Sequence, residues 1–155
     1  MEEAPDVMAL TSRSSAQGRE WARIDFTVDS GSATSCIPRE MVRPELIRPC
    51  TEGPTHYTTA SNHKVGVVGC ITPMIRFQNG AEGRVELKVL EGLKKPLFST
   101  SRMTRAGYEV MHSVDGSSAI HRQTGHTYKI YARGGVYAML AWIDKSFLVQ
   151  GRARP

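Results

Sequence analysis

Asp29 is the only aspartate in this chain followed by Ser or Thr and then Gly, and it stands directly behind the apolar run Phe26-Thr27-Val28. That arrangement suits one kind of chemistry. Hydrolysing a peptide without a metal or a covalent intermediate needs an activated water, and two carboxylates a few ångströms apart provide it by sharing one proton. The ionised carboxylate accepts a proton from water, while the protonated one donates a hydrogen bond to the scissile carbonyl oxygen. Repulsion between like charges makes such a pair titrate as a unit at acidic pH. Asp29 is therefore the candidate catalytic carboxylate. Gly31 supplies the unusual backbone angles of a tight turn and lets a partner approach closely. Ser30 brings a hydroxyl able to brace one such turn against another. Asp25, Asp115 and Asp144 lack the following Ser/Thr-Gly, so a complete pair requires Asp29 from two chains. The expectation is a symmetric homodimer with the site on its two-fold axis. A tripeptide of this kind arises by chance in roughly one chain of this length in ten. The flanks carry the weight: an apolar strand before it, small Ser32 and Ala33 after it, then Ile37.

Positioning such a carboxylate is work for strands. Trp21 to Val28 alternates apolar and polar residues, the period of a half-buried strand, and Asp-Ser-Gly ends it as a turn. Ser35-Cys36-Ile37 reads as a return strand stopped by Pro38, after which Arg39 to Val42 forms a short helical turn. Tyr57-Thr58-Thr59-Ala60 and Val65-Gly66-Val67-Val68-Gly69 read as a hairpin turning at Ser61-Asn62-His63-Lys64. A second hairpin turns at Asn79-Gly80, with Met74 to Phe77 and Arg84 to Leu90 as its arms. Ser99 to Gly107 predicts a short helix, capped by Ser101 and stopped by Gly107. Three further strands are expected at Tyr108-Met111, Thr127-Tyr131 and Gly135-Ile143, with a hairpin turn at Asp115-Gly116. Many short strands with one or two short helices indicate an all-β, mainly antiparallel, barrel-like domain.

Composition sets outer bounds. The chain has 155 residues, 40% hydrophobic and 23% charged, which suits one packed domain. Residues 1–20 read as a flexible leader, 21–143 as the domain and 144–155 as a basic tail. No window approaches the ~18 apolar residues of a membrane span, and the acidic start lacks a secretory apolar core, so no membrane contact and a cytoplasmic or nuclear location are expected. Cys36, Cys50 and Cys70 are odd in number and widely spaced, which predicts reduced thiols serving as small core residues. With His56, His63, His112, His121 and His126 at no ligand spacing, neither a metal nor another cofactor is expected. Ser99 and Ser101 have no histidine placed by a nucleophile motif, and Trp21 and Trp142 read as core or interface anchors. The net charge of +5 is compatible with weak, transient nucleic-acid contact, although scattered solvated charge is the commoner cause.

The run Phe26 to Pro38 resembles the active-site segment of retropepsin-like aspartic proteases, where apolar residues precede Asp-Ser/Thr-Gly-Ala/Ser. Thr59-Ala60-Ser61-Asn62-His63-Lys64-Val65, with Gly69, is similar to the flap hairpin of the retrotransposon members. Leu97-Phe98-Ser99-Thr100-Ser101-Arg102-Met103-Thr104-Arg105-Ala106-Gly107-Tyr108-Glu109-Val110 resembles a stretch of copia-type polyproteins, as do Asp115-Gly116, Thr124-Gly125 and Gly135 to Leu140 after it. The resemblance spans about residues 22–143. It implies a closed, mainly antiparallel barrel that dimerises and cuts a peptide or polyprotein substrate. It also implies that Ser32 and the flap residues Ala60, Ser61, Asn62, His63, Lys64 and Val65 line the substrate. Residues 110–143 belong either to this domain or to the next polyprotein module. Two departures stand out: Leu97 to Ser101 lacks the glycine of the retroviral pattern, and Asn62-His63 replaces a flap glycine. Two rival readings remain beside the protease, a catalytically silent dimerisation or peptide-binding domain of the same descent and, lower, a basic β-domain that binds nucleic acid.

Overall fold

Alternation in the first long strand puts Ile24 and Phe26 on a buried face and leaves Arg23 exposed, so the strand must be covered on one side. The computed structural model describes residues 9–11, 19–29, 34–50, 53, 55–58, 62, 64–78, 80–105, 107–113, 116–133 and 136–149. Its strands in chain order are β1 (Ala9–Thr11), β2 (Trp21–Asp29), β3 (Cys36–Pro38), β4 (His56–Thr58), β5 (Lys64–Ile71), β6 (Met74–Phe77) and β7 (Glu82–Arg84). They continue with β8 (Leu87–Leu90), β9 (Leu97–Ser99), helix α1 (Thr100–Arg105), β10 (Tyr108–Ser113), β11 (Gly116–His121), β12 (Thr127–Arg133) and β13 (Val136–Asp144).

The class is all-β and mainly antiparallel. One 13-stranded sheet runs β1-β7-β6-β13-β2-β9-β3-β8-β5-β4, with β10, β11 and β12 joined to it through β13. Among the described strands this path is open, ending at β1 and β4, and it does not trace the closed barrel that was expected. β2 lies at its centre, antiparallel to β13 from Tyr137↔Val28 to Asp144↔Trp21 and parallel to β9 from Thr27↔Leu97 to Asp29↔Ser99.

Most expected strands form, and the differences have physical causes. The arm Arg84 to Leu90 is not one strand. β7 pairs with β6, the Val85 amide then donates to the Pro73 carbonyl, and β8 leaves to pair with β5 and β3. Val85, Leu87 and Val89 keep their apolar alternation and stay fully buried, so side-chain pattern persists while the backbone changes partners. Ser101 lies inside α1 and does not cap it, whereas Gly107 ends it as expected, at φ 98° with its amide on the Thr104 carbonyl. The three-residue strands β1 and β9 were not expected; Leu-Phe-Ser is too short to show a period.

The boundaries also move. Within the presumed leader, β1 pairs with β7, and the Glu20 carbonyl accepts the Lys145 amide. The presumed tail is packed as far as Val149, whose amide donates to the Met41 carbonyl, and Asp144 caps the turn Lys145–Phe147 through the Ser146 amide at 3.0 Å. Residues 110–143 share one core with the earlier strands: Ala119, Tyr128, Ile130 and Met139 cluster with Ile24, Phe26, Phe77 and Phe98.

The thiol expectation is corrected for two of the three cysteines. Cys50 and Cys70 form a disulfide with Cα atoms 5.6 Å apart, and Cys36 is a buried thiol outside it. Spacing of 20 residues says nothing about pairing; the pairing follows from the bridge that sets Arg48 opposite Cys70.

Tyr108 and Tyr128 stack at 5.2 Å between ring centres and share a hydroxyl–hydroxyl hydrogen bond of 2.8 Å within the core. Burial raises both phenols above their ordinary value, and in Tyr128 the hydrogen bond and charge of Tyr108 add to the shift. Both are neutral in the folded chain where an unfolded tyrosine ionises. The folded state then binds more protons, so stability falls as pH rises above 10.0, the ordinary phenol value, and is unaffected by this pair below it. Tyr128→Phe should cost about 1–3 kcal/mol in urea unfolding, because it strands the Tyr108 hydroxyl. The double Tyr→Phe variant should cost less than that single change; an equal or greater loss would refute the pairing.

Candidate active site

Asp29 is the last residue of β2, half-buried, in parallel register with Ser99 of β9. Ser30, Gly31, Ser32 and Ala33 lie outside the described residues. The chain is described again at Thr34 and Ser35, both buried, which lead into β3. β3 runs parallel to β8 and also meets β9, at Cys36↔Leu97. Strand β9 is thus inserted between the strand that precedes the Asp-Ser-Gly segment and the strand that follows it.

Two hydrogen bonds hold this insertion, and a third ties Ser35 to β8. The Thr27 amide donates to the Pro96 carbonyl at 2.9 Å, and the Lys88 amide donates to the Ser35 carbonyl at 2.9 Å. The Ser99 amide donates to the Ser35 hydroxyl oxygen at 3.0 Å in a buried setting. Aromatic packing fixes the strand beneath: the Phe98 ring lies 5.0 Å from Phe26 and 6.2 Å from Phe77. Phe98 and Ser99 are wholly buried, so β9 is anchored by an apolar ring at one residue and a satisfied polar backbone at the next.

No family model, curated protein or solved structure matches this chain.

The other candidate residues sit on the hairpin β4–β5, which pairs from His56↔Gly66 to Thr58↔Lys64. Ala60, Ser61 and His63 lie outside the described residues. Asn62 is exposed with φ 69°, a left-handed conformation that asparagine tolerates better than most side chains. Lys64 is exposed. Val65 is turned inward, packing in a small cluster with Cys36 and Leu90. The hairpin and the Asp29 segment are connected through β8, which pairs with β5 on one side and β3 on the other.

Neither Ser35 nor Ser99 belongs to a motif that assigns it chemistry. The available signal was a small polar residue ending an apolar run, Leu97-Phe98-Ser99, opposite another opening one, Ser35-Cys36-Ile37. Among the described residues no group of three or more His, Cys, Asp or Glu is arranged to hold a metal ion, and no helix is long and apolar enough to cross a membrane. Of the basic residues that could attract a polyanion, Lys94, Lys95 and Arg122 are exposed but stand on separate segments. A pocket of about 470 Å³ lies elsewhere, lined by Arg39, Val42, Pro44, Ile47, Glu91 and Val149 among others, with the Arg39–Glu91 ion pair of 3.1 Å within it.

Proposed function

We propose that the chain is an aspartic endopeptidase of the retropepsin-like, copia-type kind, acting on a polyprotein or peptide as a homodimer. The observation that carries this reading is the position of Asp29. It ends a central strand, and the chain on either side of its Asp-Ser-Gly motif flanks the inserted strand β9. A carboxylate at the end of a paired strand can meet a second copy of itself across a two-fold axis. The two Asp29 side chains then share one proton and activate a water against the scissile carbonyl. Hairpin β4–β5 has the order and pairing expected of a flap that covers an extended peptide and excludes water. The retropepsin-like barrel is part of the same proposal, as the finer description of this all-β sheet.

The test is cleavage of a peptide library by the purified chain at mildly acidic pH, with a statine-type compound as inhibitor and sedimentation run in parallel. Discrete cleavage sites, blocked by the inhibitor and present only where the dimer is populated, are the expected result. A strictly monomeric chain at high concentration would sink the shared-proton mechanism. A confirmed dimer that cuts nothing would leave a silent peptide-binding or dimerisation domain.

A further inference from the structure

The geometry points to Ser35 as the residue that positions Asp29, acting through Ser99; the inference rests on the hydrolytic reading of Asp29. Asp29 stands directly before the segment 30–33 and Ser35 follows it after Thr34, and both are tied to the same residue, Ser99. Asp29 is held to Ser99 by parallel strand register, and the Ser35 hydroxyl oxygen accepts the Ser99 amide proton at 3.0 Å. Ser35 is 1% exposed and Ser99 is 0% exposed, so water does not compete for this bond. The Ser35 carbonyl is held in turn by the Lys88 amide, which anchors its backbone to β8. Ser99 also stands immediately before α1, and the hydroxyl that accepts its amide proton comes from 64 residues away in the chain.

Removing the hydroxyl takes an acceptor from the Ser99 amide and loosens Ser35 from β9. Two carboxylates that must share a proton tolerate little displacement, and a misplacement of about 1 Å can cost about 10²-fold in rate. Substrate contacts made by the flap are unaffected, so the loss belongs to kcat and not to KM.

The experiment compares wild type, Ser35→Ala and Ser35→Thr as full-length dimers. It reads kcat and KM on one cleaved peptide, the melting temperature, and hydrogen exchange of the Ser99 amide. Ser35→Ala should lower kcat by about 10–100-fold with KM within about threefold. It should also speed Ser99 amide exchange, while Ser35→Thr, which keeps the acceptor, should restore both. An active wild type whose Ser35→Ala variant keeps its kcat overturns the positioning role alone. So does loss of kcat in Ser35→Ala with unchanged Ser99 exchange. A wild-type dimer that cleaves nothing overturns the hydrolytic reading and takes the positioning role with it, even where Ser35→Ala speeds Ser99 exchange.

Discussion

Asp29→Asn should lower the peptide cleavage rate by about 10⁴-fold, the upper end of what a positioned acid–base group contributes. Asparagine matches aspartate in shape but can neither take a proton from water nor share one with a second carboxylate. The change should leave the melting temperature and the sedimentation coefficient of the dimer within error, since Asp29 ends its strand half-exposed and asparagine keeps its shape. A sharper consequence follows from the shared site. Mixing wild type with a ninefold excess of Asp29→Asn chains and allowing exchange leaves only about 1% of dimers with two intact carboxylates. Activity should therefore fall as the square of the wild-type fraction. A linear fall would mean that each chain carries a complete site, and the single Asp-Ser-Gly motif would then need a partner group within its own chain. Full activity in Asp29→Asn homodimers would end the aspartic mechanism outright.

Opening the Cys50–Cys70 disulfide should destabilise the fold by about 3 kcal/mol, as the loop-entropy relation gives for a separation of this size. For a domain of this length that corresponds to a drop of roughly 6–12 °C in melting temperature. The disulfide brackets the whole hairpin β4–β5, with Cys50 before it and Cys70 inside β5. At the same place the Arg48 amide donates to the Cys70 carbonyl at 2.9 Å and the Cys70 amide returns a bond to the Arg48 carbonyl at 2.8 Å. A Cβ added at Gly69 would lie 2.5 Å from both the Arg48 carbonyl oxygen and Ile47 Cγ2, so the two segments touch backbone to backbone there. Lys88 Nζ lies 3.6 Å from Cys70 Sγ, beneath the joint. Reduction with a dithiol, or the double change Cys50→Ser and Cys70→Ala, should loosen the root of the hairpin as well as lower the midpoint. Hydrogen exchange should rise at Val67 and Cys70, whose amides bond to Thr55 and Arg48. Identical melting curves with and without reductant would show that the bond does not constrain the chain.

Much of this architecture is legible in the residues themselves. Trp21 to Val28 announces a strand because side-chain period is a local property, and the strand observed there is β2 with Ile24 and Phe26 buried. Gly107 announces the end of a helix because a left-handed backbone angle favours glycine wherever it occurs. The Asp-Ser-Gly motif is likewise visible from residue type alone, and the chemistry proposed for it starts there. Partner choice is different. Val85, Leu87 and Val89 alternate without a break, yet the strand splits between β7 and β8, since one buried pattern serves two sheet neighbours equally well. Leu97-Phe98-Ser99 is too short to carry a period, and it becomes β9 only because Phe26, Phe77 and the Ser35 hydroxyl meet it from distant parts of the chain. Cys50 and Cys70 pair for the same reason, brought together by backbone bonds that spacing does not encode. By itself the sequence determined most of the strands and singled out one Asp-Ser-Gly aspartate, because periodicity and residue type are local. Only the tertiary structure decided which strands became neighbours, which cysteines joined and which serine braces the candidate site, because those depend on contacts between residues far apart in the chain.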